Sequence, residues 1–196
     1  SSLGATLPYG AFQGCTALQT LTLPDSLPSL LFLGGDYGGF TSGCTNLINV
    51  YGMKYMPSLL NAKSVYNNCF ALNNLPTTTY GANSIPFNSV VRNMTNFNQP
   101  TLRCSSLLLT GTSASVRSQL TYINIDWANS IFSGTNPQID LRYNALSNTE
   151  IDRIFGLLPN YSGSGVTHTI NVASNVGSAT CTPSIATAKG WTVIIL

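Results

Sequence analysis

The sequence predicts an α/β repeat solenoid, built on one parallel sheet of short strands with irregular or short helical returns and closed by a C-terminal α/β cap. Three observations predict it: a Cys-centred frame recurs along the first half of the chain, each unit carries a short stretch of alternating apolar and polar residues, and residues 141–196 change to a helix-and-strand pattern. At 196 residues and 43% hydrophobic content the chain is long enough for one continuous core, which argues against intrinsic disorder.

The first unit reads Gly10-Ala11-Phe12-Gln13-Gly14-Cys15-Thr16-Ala17-Leu18-Gln19-Thr20-Leu21-Thr22-Leu23-Pro24, and the second Gly39-Phe40-Thr41-Ser42-Gly43-Cys44-Thr45-Asn46-Leu47-Ile48-Asn49-Val50. They share GCTxLxxL/V. A third copy, Asn68-Cys69-Phe70-Ala71-Leu72-Asn73-Asn74-Leu75-Pro76, keeps the Cys-x-x-Leu-x-x-Leu frame, and Asn93-Met94-Thr95-Asn96-Phe97 keeps its size pattern with Met in the Cys position. The spacings of 29, 25 and 25 residues fit leucine-rich repeats. Past residue 105 the Cys is lost but strand patterns persist at Leu120–Ile125 and at Ile139–Leu146, the latter close to an LxLxxNxL register. One such unit cannot bury its own apolar face, so stacking is obligatory, with Leu21, Val50, Leu75 and Ile123 expected on neighbouring strands.

The cap is read from local signals. Ser147-Asn148-Thr149-Glu150 is a capping box, Ile151, Ile154, Phe155 and Leu158 follow at helical spacing, and Pro159 stops the helix. After a Gly/Ser loop, Thr169–Val172 reads as a strand. Thr182-Pro183 then opens a short helix that Gly190 closes, and Trp191–Leu196 forms a final strand.

On the motifs at residues 10–24 and 39–47, the chain resembles the BspA-like leucine-rich repeats of bacterial surface proteins and phage tail proteins. The ending, from Leu141 to Pro159 and from Ile185 to Ile194, is similar to the unit that closes such repeats in phage proteins. Residues 76–120 fit the frame poorly, as do the Gly/Asn-rich insertions at 34–39 and 77–89. The resemblance implies a repeat solenoid over residues 1–140 and a capping repeat over 141–196 in one continuous domain. It implies binding at a surface and hands over no catalytic residues.

Charge excludes several partners. Only 14 of 196 residues are Asp, Glu, Lys or Arg, against roughly a quarter in ordinary soluble domains, while Ser, Thr, Asn and Gly total 81. A net charge of +2 with no basic patch makes nucleic acid and anionic membranes poor partners. No apolar run approaches the roughly 20 residues of a membrane span, so membrane insertion is not expected. Ser1, with no initiating Met or apolar leader, reads as the cut end of a longer chain.

Candidate chemistry is sparse. Cys15, Cys44, Cys69, Cys104 and Cys181 form no CxxC or Cys/His cluster, so neither a metal nor another cofactor is expected, and the column Cys15/Cys44/Cys69 reads as buried free thiols. His168 lacks a nucleophile in any recognisable motif and reads as a strand-edge residue. Asp126 and Asp140 are the acids that could meet across adjacent strands, yet a turn acid beside a solvated face is the plainer reading. The sequons at Asn93 and Asn160 are what chance yields in so Asn-rich a chain.

Alternation points instead to an exposed row of hydroxyls, amides and Tyr: Thr20, Thr22, Asn49, Tyr51, Asn74, Gln99, Thr101, Tyr122, Asn124, Asp140, Arg142, Thr169 and Asn171. Tyr51, Tyr122, Asn124, Asp140 and Arg142 are its candidate ligand-binding residues, equipped to hold a sugar ring. The expected function is a non-enzymatic extracellular recognition module. As a phage tail-fibre or receptor-binding protein it would sit on a virion surface, contact a host-surface glycan or protein and join other subunits. The alternatives are a secreted adhesin on a bacterial cell surface and a structural scaffold. A polysaccharide-degrading enzyme needs a carboxylate pair in a cleft, which so few acids argue against.

Overall fold

The computed structural model describes residues 10–35, 38–73, 75–113, 116–134 and 136–196. In chain order the strands of the first half are β1 (Thr20–Thr22), β2 (Gly34–Gly35), β3 (Gly38–Gly39), β4 (Asn49–Tyr51), β5 (Tyr55–Met56), β6 (Ala62–Lys63), β7 (Thr79–Tyr80) and β8 (Ser84–Val90). There follow β9 (Asn96–Gln99), β10 (Arg103–Thr110), β11 (Tyr122–Ile125), β12 (Ile139–Asp140), α1 (Asn148–Leu157), β13 (His168–Asn171), α2 (Ser184–Thr187) and β14 (Trp191–Ile194). Its regular elements are thus mostly strands with few helices, and the sheets are mainly parallel.

The single sheet expected from the repeats is replaced by five among the described residues. Six strands form one sheet in the order β6-β8-β10-β12-β13-β14, each parallel to its neighbours and each next to the strand before it in this series. The other pairs are β1-β4, β5-β7 and β9-β11, all parallel, and the antiparallel hairpin β2-β3. The physical reason lies in the turns. After β4, Gly52 takes φ +84° where a Cβ would meet the Leu23 carbonyl oxygen at 1.9 Å, so the chain bends at once into β5. Pro57 ends β5, and β6 follows on a third line. A unit expected to give one strand gives three.

Register agrees with the repeat frame at one pair and departs from it at two positions. Leu21 lies opposite Val50 as expected, whereas Ile123 lies opposite Phe97 in the separate pair β9-β11 and not on a strand beside Val50. Leu75 lies in no strand, because Pro76 beside it has no N–H to donate to a ladder. A buried amide bridges the gap: Gln99 accepts the Thr78 N–H at 3.1 Å and donates to the Pro76 carbonyl at 3.0 Å. Gln99, expected on the exposed row, therefore points inward.

The Cys frame has a conformational cause. Gly14, Gly43 and Asn68, each just before a Cys, have φ of +71°, +78° and +60°, the left-handed region that Gly and Asn tolerate best. The Cys N–H groups then close tight turns onto the Phe12, Thr41 and Tyr66 carbonyls. The thiols of Cys44 and Cys69 reach back one unit, to the Phe12 carbonyl at 2.8 Å and the Thr41 carbonyl at 3.1 Å. All five cysteines are free thiols; Cys44, Cys69 and Cys104 are buried, while Cys15 is exposed. Between the turns Leu47, Leu72 and Phe97 are shut away from solvent in a core cluster that runs from Leu21 to Trp191. Each such side chain stabilises the fold by about 1.5 to 3 kcal/mol.

Towards the C-terminus a second frame takes over. Ile139-x-Leu141-x-x-Asn144 recurs 31 residues later as Ile170-x-Val172-x-x-Asn175, with Ile139 and Ile170 in register. Tyr143 and Ser174 both turn at φ near +60°, which aims the two Asn side chains inward. Asn144 donates to the Leu109 and Leu141 carbonyls at 2.7 and 2.8 Å, and Asn175 to the Leu141 and Val172 carbonyls, both at 2.8 Å. Asn175 also accepts the Leu146 N–H at 3.2 Å. The expected cap elements are present: the Ser147 side chain accepts the Glu150 N–H at 3.1 Å, and α1 buries Ile151, Ile154 and Phe155.

Candidate functional site

The five candidate residues fall on different ladders. Tyr51 ends β4 and is 53% exposed. Tyr122 and Asn124 lie on β11, opposite Asn96 and Asn98 of β9, and Asn124 donates to the Asn98 side-chain oxygen at 3.0 Å. Arg153 of α1 lies over the Tyr122 ring at 4.7 Å, which covers part of that face. Asp140 and Arg142 belong instead to the six-stranded sheet, at the end of β12. The single exposed row is thus corrected to separate surfaces. Thr20, Thr22 and Thr101 are exposed as expected, whereas Thr169 and Asn171 are buried in β13 between β12 and β14. Asn74 lies outside the described residues.

A cavity of about 280 Å³ opens over the six-stranded sheet. Alternation in β8 turns Asn88 and Val90 outward, alternation in β10 does the same for Leu108 and Thr110, and these line its floor. Ser64 and Asn67 form the wall beyond β6, and Asp140 and Arg142 the opposite wall. The amides are held in place: Asn88 accepts the Ser64 N–H and hydroxyl, and Asn67 accepts the Val90 N–H at 3.3 Å.

Asp140 and Arg142 form the charged element of this wall. The carboxylate is buried and accepts four hydrogen bonds, all from Arg142: the backbone N–H at 3.2 Å, Nε at 2.9 and 3.1 Å, and Nη2 at 2.7 Å. That arrangement saturates Asp140 and cancels its charge locally. It also holds the Arg142 guanidinium above its ordinary pKa, chiefly through the hydrogen bonds this group donates to Asp140. The Arg142 side chain remains 41% exposed, so its outer N–H groups face the cavity mouth as fixed donors.

The other candidates have structural partners. Asp126 pairs with Arg103 at 2.9 Å and accepts from Asn129, so Asp126 and Asp140 are each held by a different arginine rather than by one another. His168 is buried inside the sheet rather than at an edge, stacked 3.7 Å from the Tyr161 ring and packed on Trp191. Among the described residues no group of three His, Cys, Asp or Glu could hold a metal. Nor is any described helix long and apolar enough to cross a membrane.

Sequence reasoning missed Ser64, Asn67, Asn88 and Thr110. The signal for two of them was the alternation Ile85-x-Phe87 against Asn88-x-Val90, and Leu107-x-Leu109 against Leu108-x-Thr110, which marks two long strands with a polar outward face. No known protein family, curated protein or solved structure matches the chain.

Proposed function

We propose that the chain is a non-enzymatic recognition module of an extracellular assembly: a BspA-like, leucine-rich-repeat-type solenoid, used as a phage tail-fibre or receptor-binding protein on a virion surface. In this reading residues 1–140 are the repeats, residues 141–196 the capping repeat, and the ligand a host-surface glycan. The observation that carries it is the cavity over the six-stranded sheet, walled by neutral amides and hydroxyls and by one self-neutralised Asp140–Arg142 pair. Such a wall offers paired donors and acceptors without net charge, which suits a hydroxyl-rich ligand. The solenoid reading is supported by six parallel strands stacked in chain order and by Asn144 and Asn175 recurring 31 residues apart. The non-enzymatic reading is supported by the two candidate acids, each neutralised by its own arginine, whereas glycoside hydrolysis needs a carboxyl held protonated beside a carboxylate.

Binding of wild type, Arg142→Ala and the Tyr51→Ala/Tyr122→Ala double variant to a glycan array and to host cells tests the reading. Arg142→Ala is expected to lose at least about tenfold in affinity, and binding should change little between low and moderate salt. Binding that survives in Arg142→Ala but fails in the double variant would move the site to the β4 and β11 faces. Binding unchanged in both variants would overturn the reading.

A further inference from the structure

A second cavity, of about 450 Å³, opens on the same outer face, lined by Lys63, Pro86, Ser105, Ser106, Ser133 and Gly134. It adjoins the first. Lys63 precedes Ser64, Pro86 lies two residues before Asn88 on β8, and Ser106 lies two residues before Leu108 on β10, so the same outward positions continue from one cavity into the other. From Ser106 to Thr110 the trough follows β10 for about 13 Å, longer than a single sugar ring.

The second cavity is shaped by a specific irregularity. Pro86 sits inside β8 where it has no N–H to give, and opposite it the register of β10 shifts between Cys104 and Ser106. The resulting bulge brings Ser105 and Ser106 together at the cavity wall. The N–H groups of Ser133 and Gly134 both donate to the Ser105 carbonyl, at 3.1 and 3.0 Å, and fasten the next loop against the bulge. Gly134 is required there, since a Cβ would stand 2.9 Å from the Ser106 Cβ. Three Ser side chains thus line a cleft that continues the amide-lined one.

We propose that the two cavities are consecutive subsites for a linear, neutral oligosaccharide, with one ring held at Asp140 and Arg142 and the next units running along β8 and β10 to Ser106 and Ser133. This rests on the reading of the first cavity as a recognition site. The preference for a neutral chain follows from the wall chemistry: the carboxylate at one end is cancelled by its arginine, and the rest of the lining is hydroxyl, amide and apolar apart from one cation, Lys63, which is too little charge to select an acidic chain. Chain length, rather than charge, is then what the trough measures.

The test is titration of wild type, Ser133→Trp, Ser106→Ala and Arg142→Ala with cello-, malto-, manno- and chito-oligosaccharides, each from the monosaccharide to the hexasaccharide, and with an acidic oligouronate series. In one neutral series affinity is expected to rise about tenfold or more between mono- and trisaccharide. Ser133→Trp, placed on an exposed position, should remove that gain and leave monosaccharide binding as it was, Ser106→Ala should reduce the gain, and Arg142→Ala should weaken every length. A gain that survives Ser133→Trp in a variant that melts like wild type would overturn the second subsite while the first stands. Tighter binding of oligouronates that collapses with salt would overturn the neutral assignment. Binding of no series, by wild type or variant, would overturn both subsites together with the glycan reading beneath them.

Discussion

Glu150 and Arg153 together complete a β-ladder on the side of β11 that no strand continues among the described residues. The Glu150 carboxylate accepts the Ile123 N–H at 3.0 Å, the Arg153 guanidinium donates to the Ile123 carbonyl, and the two side chains pair with each other at 2.7 Å. One helical turn thereby presents to β11 the acceptor and donor that a further strand would have presented. An edge with unpaired backbone groups is a template for adding another chain, and this pair covers it.

Glu150→Ala should therefore do more harm than loss of a surface ion pair. It leaves the Ile123 N–H buried without an acceptor and Arg153 without its counter-charge. The expected loss is about 2 to 3 kcal/mol in denaturant titration, below the figure for a fully buried pair because Arg153 keeps a third of its side chain in solvent. An effect under about 0.5 kcal/mol would show that water satisfies Ile123 equally well.

Leu47→Ala removes a fully buried side chain that packs between the units carrying Cys44 and Cys69. A loss of about 2 to 5 kcal/mol is expected, with the spread set by how far the layers close on the cavity. Differential scanning calorimetry against wild type measures it.

Asn175→Ala strips the Leu141 and Val172 carbonyls of a donor and the Leu146 N–H of its acceptor, all in the core. About 3 kcal/mol should be lost. Asn175→Asp keeps the shape but turns the donor into a charge facing two carbonyls, so its melting temperature should fall below that of the Ala variant.

Stability should decline in alkali from about pH 9 upward. Burial pushes the Cys69 thiol from 9.0 up to about 12, so between those values the unfolded chain has released a proton that the folded chain still holds. Folding stability from this group is complete below pH 9 and falls by about 1.4 kcal/mol per pH unit above it. Cys69→Ala should flatten the slope of unfolding free energy against pH by that amount, and an unchanged slope would place the loss in other buried thiols and phenols.

The parts of the fold legible in sequence are those in which a local signal and the tertiary partner agree. Ser147 and Glu150 announce α1 by their spacing alone, and the Cys frame sets Leu21 against Val50 because identical turns precede both. What alternation cannot give is the side of the molecule on which an outward residue emerges. Tyr122 and Asp140 both read as exposed strand positions, yet the turns between them send one to β11 and the other to β12. The inward amides were hidden for a related reason. Gln99 and Gln138 look like surface residues until the missing ladder partners at Pro76 and Thr169 are known, and those are set by chain segments 23 and 31 residues away.

The order of strands in the six-stranded sheet also dictates how the chain answers a pull. Each strand there borders only those before and after it in the series, so tension applied at the two ends loads one strand pair at a time instead of shearing the whole sheet at once. Each released turn of about 25 residues pays out roughly 80 to 90 Å of slack. Under force the molecule would lengthen in a staircase of small yields, absorbing work over distance while the turns not yet reached stay intact.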